Sequence, residues 1–212
     1  MIRIGRLGAL VALAALAFLA APALAEEKVE VGFKPLGNGK DMSDFTLVIG
    51  KNVVKKSDTW TVEDGVIKCK GKPNGYFATK KSYRNYVLRF DFRYPEKAGN
   101  SGFLINITGE HKTWPKCIEV QGQYNNVCMI FPISGAKGKR PPVATAARNK
   151  VRKPHTEWNS VEIVVKDGAI TSMLNGTKVC ESEPYDLKEG PIGFQSEGTP
   201  IEFRNLRIKE LK

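Results

Sequence analysis

Two turn signals eight residues apart, Asp167–Gly168 and Asn175–Gly176, constrain this chain more than any other feature. Both dipeptides accept the positive φ angles that two-residue hairpin turns require. Val161–Lys166, Thr171–Leu174 and Thr177–Cys180 flank them as β-branched and apolar runs. Residues 159–182 therefore predict a three-stranded antiparallel meander. A helix over 161–174 would be interrupted by Asp167–Gly168. A third hairpin signal, Asp64–Gly65, sits between Val62 and Val66.

The same period of two recurs elsewhere. Phe90, Phe92 and Tyr94 share one face of a predicted strand, with Arg89, Asp91 and Arg93 on the other. Val161, Ile163 and Val165 share a face. Ile118 and Val120 oppose Cys117, Glu119 and Gln121; Ile192 and Phe194 oppose Gly193, Gln195 and Glu197. One apolar and one polar face per strand means antiparallel sheets that bury one side. So many short strands in one domain predict an all-β sandwich of two packed sheets. No segment after residue 25 has a convincing helical period.

Residues 1–25 read as a cleavable leader. Arg3 and Arg6 precede an apolar run from Leu7 to Leu19, and Ala23–Leu24–Ala25 offers a small-x-small cleavage site. The expected mature chain is residues 26–212, a single domain, secreted or periplasmic. No later stretch is apolar enough to span a bilayer. The formal charge of +11 falls to +9 without the two leader arginines. A basic balance suits nucleic acid, an anionic surface or an acidic polysaccharide, and export disfavours the first. Four cysteines in an exported chain favour disulfides. Cys117 and Cys128 flank a plausible tight turn, which would pair them and leave Cys69 with Cys180. The oligomeric state has no signature here.

Chemistry should sit where polar side chains converge. Glu119 and Gln121 share the polar face of one strand, Gln195 and Glu197 that of another. If both faces line one hollow sheet, two carboxylates and two amides meet. Paired carboxylates are what glycosidic bond cleavage uses. Trp114 can stack on a sugar ring. Asn100 and Ser101 follow the Arg93 strand, and Arg93 is open to two readings, an ion pair or a substrate contact. Pro132–Thr156 holds seven Lys and Arg, no Asp or Glu, and three prolines inside its bounds. It reads as a long loop, either a rim for an anionic or sugar ligand or a solvated basic segment. His111 and His155 lie on loops without metal-ligand spacing, so no transition-metal cofactor is expected, while a structural calcium site stays open. No Gly-x-Ser-x-Gly elbow or phosphate-binding glycine loop occurs.

The ordered motifs resemble the 3-keto-disaccharide hydrolase domain family. The likeness runs through Phe33–Phe45, Trp60–Val66, Tyr86–Arg93, Asn100–Gly102, Glu119–Gln121, Glu157–Asn159, Leu174–Gly176, Gly190–Gln195 and Glu202–Ile208. It implies a concanavalin A-like, jelly-roll sandwich acting on sugars oxidised at C3, as a hydrolase or lyase, at a concave sheet face. Oxidation at C3 acidifies the C2 proton, so a base can start elimination of the glycosidic bond. By motif match the resemblance implies Glu119 as the base or acid and Gln121, Arg93, Asn100 and Gln195 as substrate contacts; Glu197 as a second catalytic carboxyl, and Ser101 and Trp114 as further substrate contacts, are read from the residues themselves. Two positions depart from the family pattern. Gly122–Gln123–Tyr124 follows Gln121 where an aspartate is frequent, and Glu197 stands where members often carry a histidine. The alternative these departures imply is a non-catalytic carbohydrate-binding or cell-envelope module. A basic adhesin for acidic polysaccharide is a third reading, resting on residues 137–153.

Overall fold

The structure, a computed structural model, describes residues 30–212. The leader read over residues 1–25 lies outside the described residues. In chain order the strands are β1 (Lys34–Pro35), β2 (Phe45–Ile49), β3 (Asn52–Val54), β4 (Trp60–Glu63), β5 (Val66–Cys69), β6 (Gly75–Thr79), β7 (Tyr86–Arg93) and β8 (Gly102–Thr108). They continue with β9 (Lys116–Gln121), β10 (Ile130–Ile133), β11 (Asn159–Lys166), β12 (Ala169–Leu174), β13 (Thr177–Glu181), β14 (Gly193–Ser196) and β15 (Ile201–Glu210). They form two antiparallel sheets packed as a jelly-roll-type sandwich. The first sheet runs β13-β12-β11-β7-β15-β5-β4, with β1 on β15; the second runs β10-β9-β8-β14-β6-β2-β3.

The turn dipeptides fold as their chemistry requires. Asp167 and Gly168 have φ of 49° and 87°, Asn175 and Gly176 48° and 79°, Asp64 and Gly65 50° and 74°. Each pair closes a two-residue hairpin: β11–β12, β12–β13 and β4–β5. The meander over 159–182 is present as expected.

The core between the sheets is an aromatic cluster. Phe77 stacks on Phe194 with centroids 4.9 Å apart, Phe90 meets Phe103 edge-on at 4.6 Å, and Phe203 meets Phe194 at 5.3 Å. Such rings each bury roughly 150–250 Å² and add about 0.5–1.5 kcal/mol per well-oriented pair. This packing also fixes what faces outward. Phe194 and Phe103 are ladder partners, so their neighbours Gln195 and Gly102 point together from the other side of the second sheet. Ile118 and Val120 lock β9 into the core and turn Glu119 outward between them.

Two expectations are corrected. The basic stretch 132–156 is not all loop: Thr145–Val151 forms a short α-helix, α1, lying on β13. Seven residues are too few to show a period. The helix is held by tertiary contacts, with Arg148 buried and Val151 O accepting from Asn175 Nδ2 at 2.7 Å. The four cysteines are buried free thiols, so neither expected disulfide forms. Cys117 faces Ile133 across β9–β10, while Cys128 turns into the core with φ of 68°. Cys69 in β5 and Cys180 in β13 are separated by four intervening strands. At about 4.8 Å per strand, that is far beyond the roughly 7 Å a disulfide spans between Cα atoms.

Candidate functional site

The outer face of the second sheet carries a small apolar cluster of Val48, Tyr76, Ala78, Leu104, Ile107 and Cys117. Polar groups gather at one side of it. In the ladder, Tyr76 pairs Gln195, and Leu104 pairs Glu119. Gly102 pairs Gln121, and it lies in β8 between β14 and β9. Gln195 and Glu119 therefore come from strands on either side of β8.

They meet above Gly102. A Cβ placed on that glycine would stand 2.4 Å from Gln195 Oε1 and 2.5 Å from Glu119 Oε1. The missing side chain is what lets the two functional groups close over the strand, a recurrent reason for glycine inside a β-strand. Both residues are buried, and Gln195 Oε1 has no hydrogen-bond partner. A protonated Glu119 would supply the donor that this orphan acceptor lacks, whereas a carboxylate would face it with a second acceptor.

The electrostatics agree. Burial raises the Glu119 carboxyl to about 7, the negative charge of Glu197 adds to the rise, and the Arg140 guanidinium pulls against it. Glu197 lies just beyond β14, where its backbone bridges to Asn100. Burial raises this carboxyl too, while the Trp114 indole and the Asn100 amide bind its charged form and oppose the rise. The two carboxyls thus differ in kind. Glu119 sits in apolar surroundings opposite an acceptor; Glu197 is served by two donors. Both carboxyls are raised, and only at Glu197 do hydrogen-bond donors to the charged form oppose the rise.

The loop before β9 covers the apolar cluster. His111 Nδ1 lies 3.1 Å from Tyr76 Oη, and Ser134 Oγ donates to Trp114 O at 2.7 Å. Burial, with Cys117 beside it, raises the Tyr76 phenol to about 12, so it stays neutral. Trp114 is 48% exposed next to Glu197, which leaves a ring face open at the entrance. Below it, Tyr94 donates to Gly122 O at 2.8 Å and fixes the turn after Gln121. Gln121 Oε1 accepts from Gln123 N at 2.8 Å, so its outer carboxamide edge is held in place.

Against this geometry a profile for the 3-keto-alpha-glucoside-1,2-lyase-like domain matches residues 32–209. The chain belongs to that family. A solved candidate glycosyl hydrolase from Parabacteroides distasonis ATCC 8503 is 25% identical, with TM-score 0.63, covering 85% of this chain and 94% of its own. A second from the same organism is 23% identical, with TM-score 0.62, covering 84% of this chain and 99% of its own. The carbohydrate-binding module CBM66 from Bacillus subtilis shares the fold at 12% identity and TM-score 0.54, over 79% of this chain and 96% of that one. No protein of curated function matches the chain significantly.

Of the residues the sequence pointed to, the family fold brings Glu119, Glu197, Gln121, Gln195, Asn100 and Trp114 to one outer face. Two fall elsewhere. Arg93 projects from β7 of the opposite sheet, pairs with Glu202 at 2.7 Å and stacks 4.5 Å over Trp158. Strand parity turned it outward, but outward from the other layer. Ser101 is fully buried, and its hydroxyl donates to Gln195 O at 2.9 Å, so it ties β8 to β14 rather than facing ligand. Tyr76, His111 and Arg140 were not singled out as site residues; their neighbours come from distant segments, and only Arg140 had a signal, inside the basic run. Among the described residues no three His, Cys, Asp or Glu side chains gather as metal ligands. No described helix is long and apolar enough to cross a membrane.

Proposed function

We propose that this protein is an exported carbohydrate-active lyase or hydrolase acting on 3-keto-glycosides, with Glu119 as acid and Glu197 as base. The observation that carries the reading is the convergence of Glu119 and the orphan oxygen of Gln195 over Gly102, beside a second carboxyl whose charged form two donors support. Family membership supports the substrate class, and the similarity to the Parabacteroides candidate glycosyl hydrolase supports sugar chemistry. The leader over residues 1–25 supports a secreted or periplasmic site of action.

The chemistry balances on these residues. Glu197 takes the C2 proton, and its electron pair forms an enolate with the C3 carbonyl. The enolate collapses, the C3 carbonyl returns, a C1–C2 double bond forms, and the C1–O bond breaks with its pair on oxygen. Glu119 donates its proton to that leaving oxygen. Addition of water across the new double bond would give the hydrolysed sugar. Trp114 offers a stacking face for the ring, while Asn100 and Gln121 orient hydroxyls.

The test is turnover of a 3-keto-disaccharide beside its unoxidised parent. The reading expects cleavage of the keto sugar alone and loss of at least about 100-fold in Glu119→Gln. A wild type no faster than Glu119→Gln removes the catalytic assignment. The second reading, a binding-only module, is favoured by Glu197 standing where the family often has histidine. It predicts sugar binding with no product.

A further inference from the structure

Arg140 is set apart from every other arginine among the described residues. Arg84, Arg89, Arg93 and Arg204 pair with carboxylates. Arg148, Arg152 and Arg207 hydrogen-bond Asn149 Oδ1, Tyr124 O and Asn205 O. Arg140 has neither kind of partner among the described residues; its guanidinium lies 4.7 Å over the Phe131 ring. Phe131 is the ladder partner of Glu119, so that ring neighbours the acid on the same outer face.

The backbone that carries Arg140 is anchored on both sides. Before it, Lys137 N donates to Asp186 Oδ1 at 2.9 Å and Lys137 O accepts from Asp186 N at 3.2 Å. Gly138 lies flat on the Tyr185 ring, where a Cβ would fall 2.1 Å from Cδ1, and Lys139 O accepts from Tyr185 Oη at 3.0 Å. After it, Pro142 O accepts from Cys180 Sγ at 3.4 Å, and Val143 bridges to Cys180. The loop is therefore fastened to the β13–β14 connection and to β13. It presents an exposed cation with no internal partner beside a buried acid.

We propose that Arg140 is a catalytic residue that binds the developing enolate oxygen at C3 of a 3-keto-sugar. The inference rests on the elimination reading above. A positive charge with no internal ion pair can turn to an oxygen that becomes anionic without first giving up another carboxylate. The carbonyl oxygen of the bound ketone is neutral before C2 deprotonation and anionic after it. Arg140 consequently acts on the transition state more than on the ground state.

The experiment is steady-state kinetics of the full chain on an uncharged 3-keto-α-glucoside, comparing wild type, Arg140→Met, Arg140→Lys and Glu119→Gln. Arg140→Met should lower kcat by about 100-fold or more with KM changed less than about threefold. Arg140→Lys should keep part of the rate, and added guanidinium ion should partly restore Arg140→Met. A purely structural role would show none of that rescue. Arg140→Met at wild-type kcat, or a loss confined to KM, overturns the assignment while an inactive Glu119→Gln leaves the elimination reading standing. A loss confined to KM that appears only with carboxylated sugars would mark Arg140 as a ground-state anion contact, which also overturns it. A wild type with no turnover of the ketone removes both.

Discussion

Glu119 and Gln195 face each other oxygen to oxygen across the Cα of Gly102, two groups from β9 and β14 separated by the one strand that has no side chain there. The pair makes Gly102 a requirement of the site. In Gly102→Ala the new methyl falls within 2.5 Å of both oxygens. Both obstructing atoms are ends of flexible side chains, so the fold yields and the site does not. We expect activity to fall at least about 100-fold, with stability reduced by about 1–3 kcal/mol. Equal activity in wild type and variant would show that the juxtaposition is incidental.

The raised carboxyl of Glu119 has a consequence for stability. Its folded value near 7 lies above the unfolded carboxylate value of about 4.5. The folded state therefore holds the proton more tightly in between. This contribution is fully present below about pH 4.5 and lost as pH rises through about 7. The decline should be on the order of 3 kcal/mol. Glu119→Gln, whose amide can donate to Gln195 Oε1 at every pH, should be the flatter of the two between pH 5 and 8 and the more stable above pH 8. Denaturant unfolding across that range measures the slope. Parallel profiles would mean that Glu119 ionises freely.

Activity should follow the same groups with opposite limbs. The rate falls above about pH 7 as Glu119 loses the proton it must donate, and falls in acid as Glu197 gains one. Removing Trp114 takes away one donor to the charged form of Glu197, so Trp114→Ala should move the acid limb to higher pH and leave the basic limb in place. Trp114→Ala should also raise KM about tenfold, the loss of one stacking face. A pH profile that keeps its basic limb in Glu119→Gln would assign that limb to another group.

Arg93 tests the placement from the other side. On the far sheet it joins Glu202 to the face of Trp158, and Glu202 is only 12% exposed. Arg93→Ala should leave kcat and KM within about twofold and cost about 1–3 kcal/mol of stability, because Glu202 loses its partner. Loss of catalysis with unchanged stability would restore Arg93 to the site.

What the sequence made legible was local. Period-two alternation and the Asp-Gly and Asn-Gly turns depend on neighbouring residues alone, so the strands, the hairpins and the outward parity of Glu119, Gln121 and Gln195 could be read directly. Sheet membership is not local. Arg93 and Glu119 both point outward, yet long-range pairing sets them on opposite layers. The same limit misplaced Ser101, whose partner is a carbonyl 94 positions away in the chain. It also suggested disulfides where chain spacing concealed four intervening strands and where Cys117 and Cys128 face opposite sides of one sheet. Arg140 was visible only as part of a basic run, since its isolation follows from what Asp186, Tyr185 and Cys180 do to the loop around it.

The most direct test of the acid–base pair is exchange at C2. With a 3-keto-glycoside in D₂O, proton NMR should show wild type releasing the aglycone. Glu119→Gln should retain wash-out of the C2 proton while glycoside cleavage stalls, and Glu197→Gln should slow both. Cleavage by Glu197→Gln at the wild-type rate, or release of aglycone in H₂O from a C2-deuteriated substrate with no loss of that deuterium, would contradict the account.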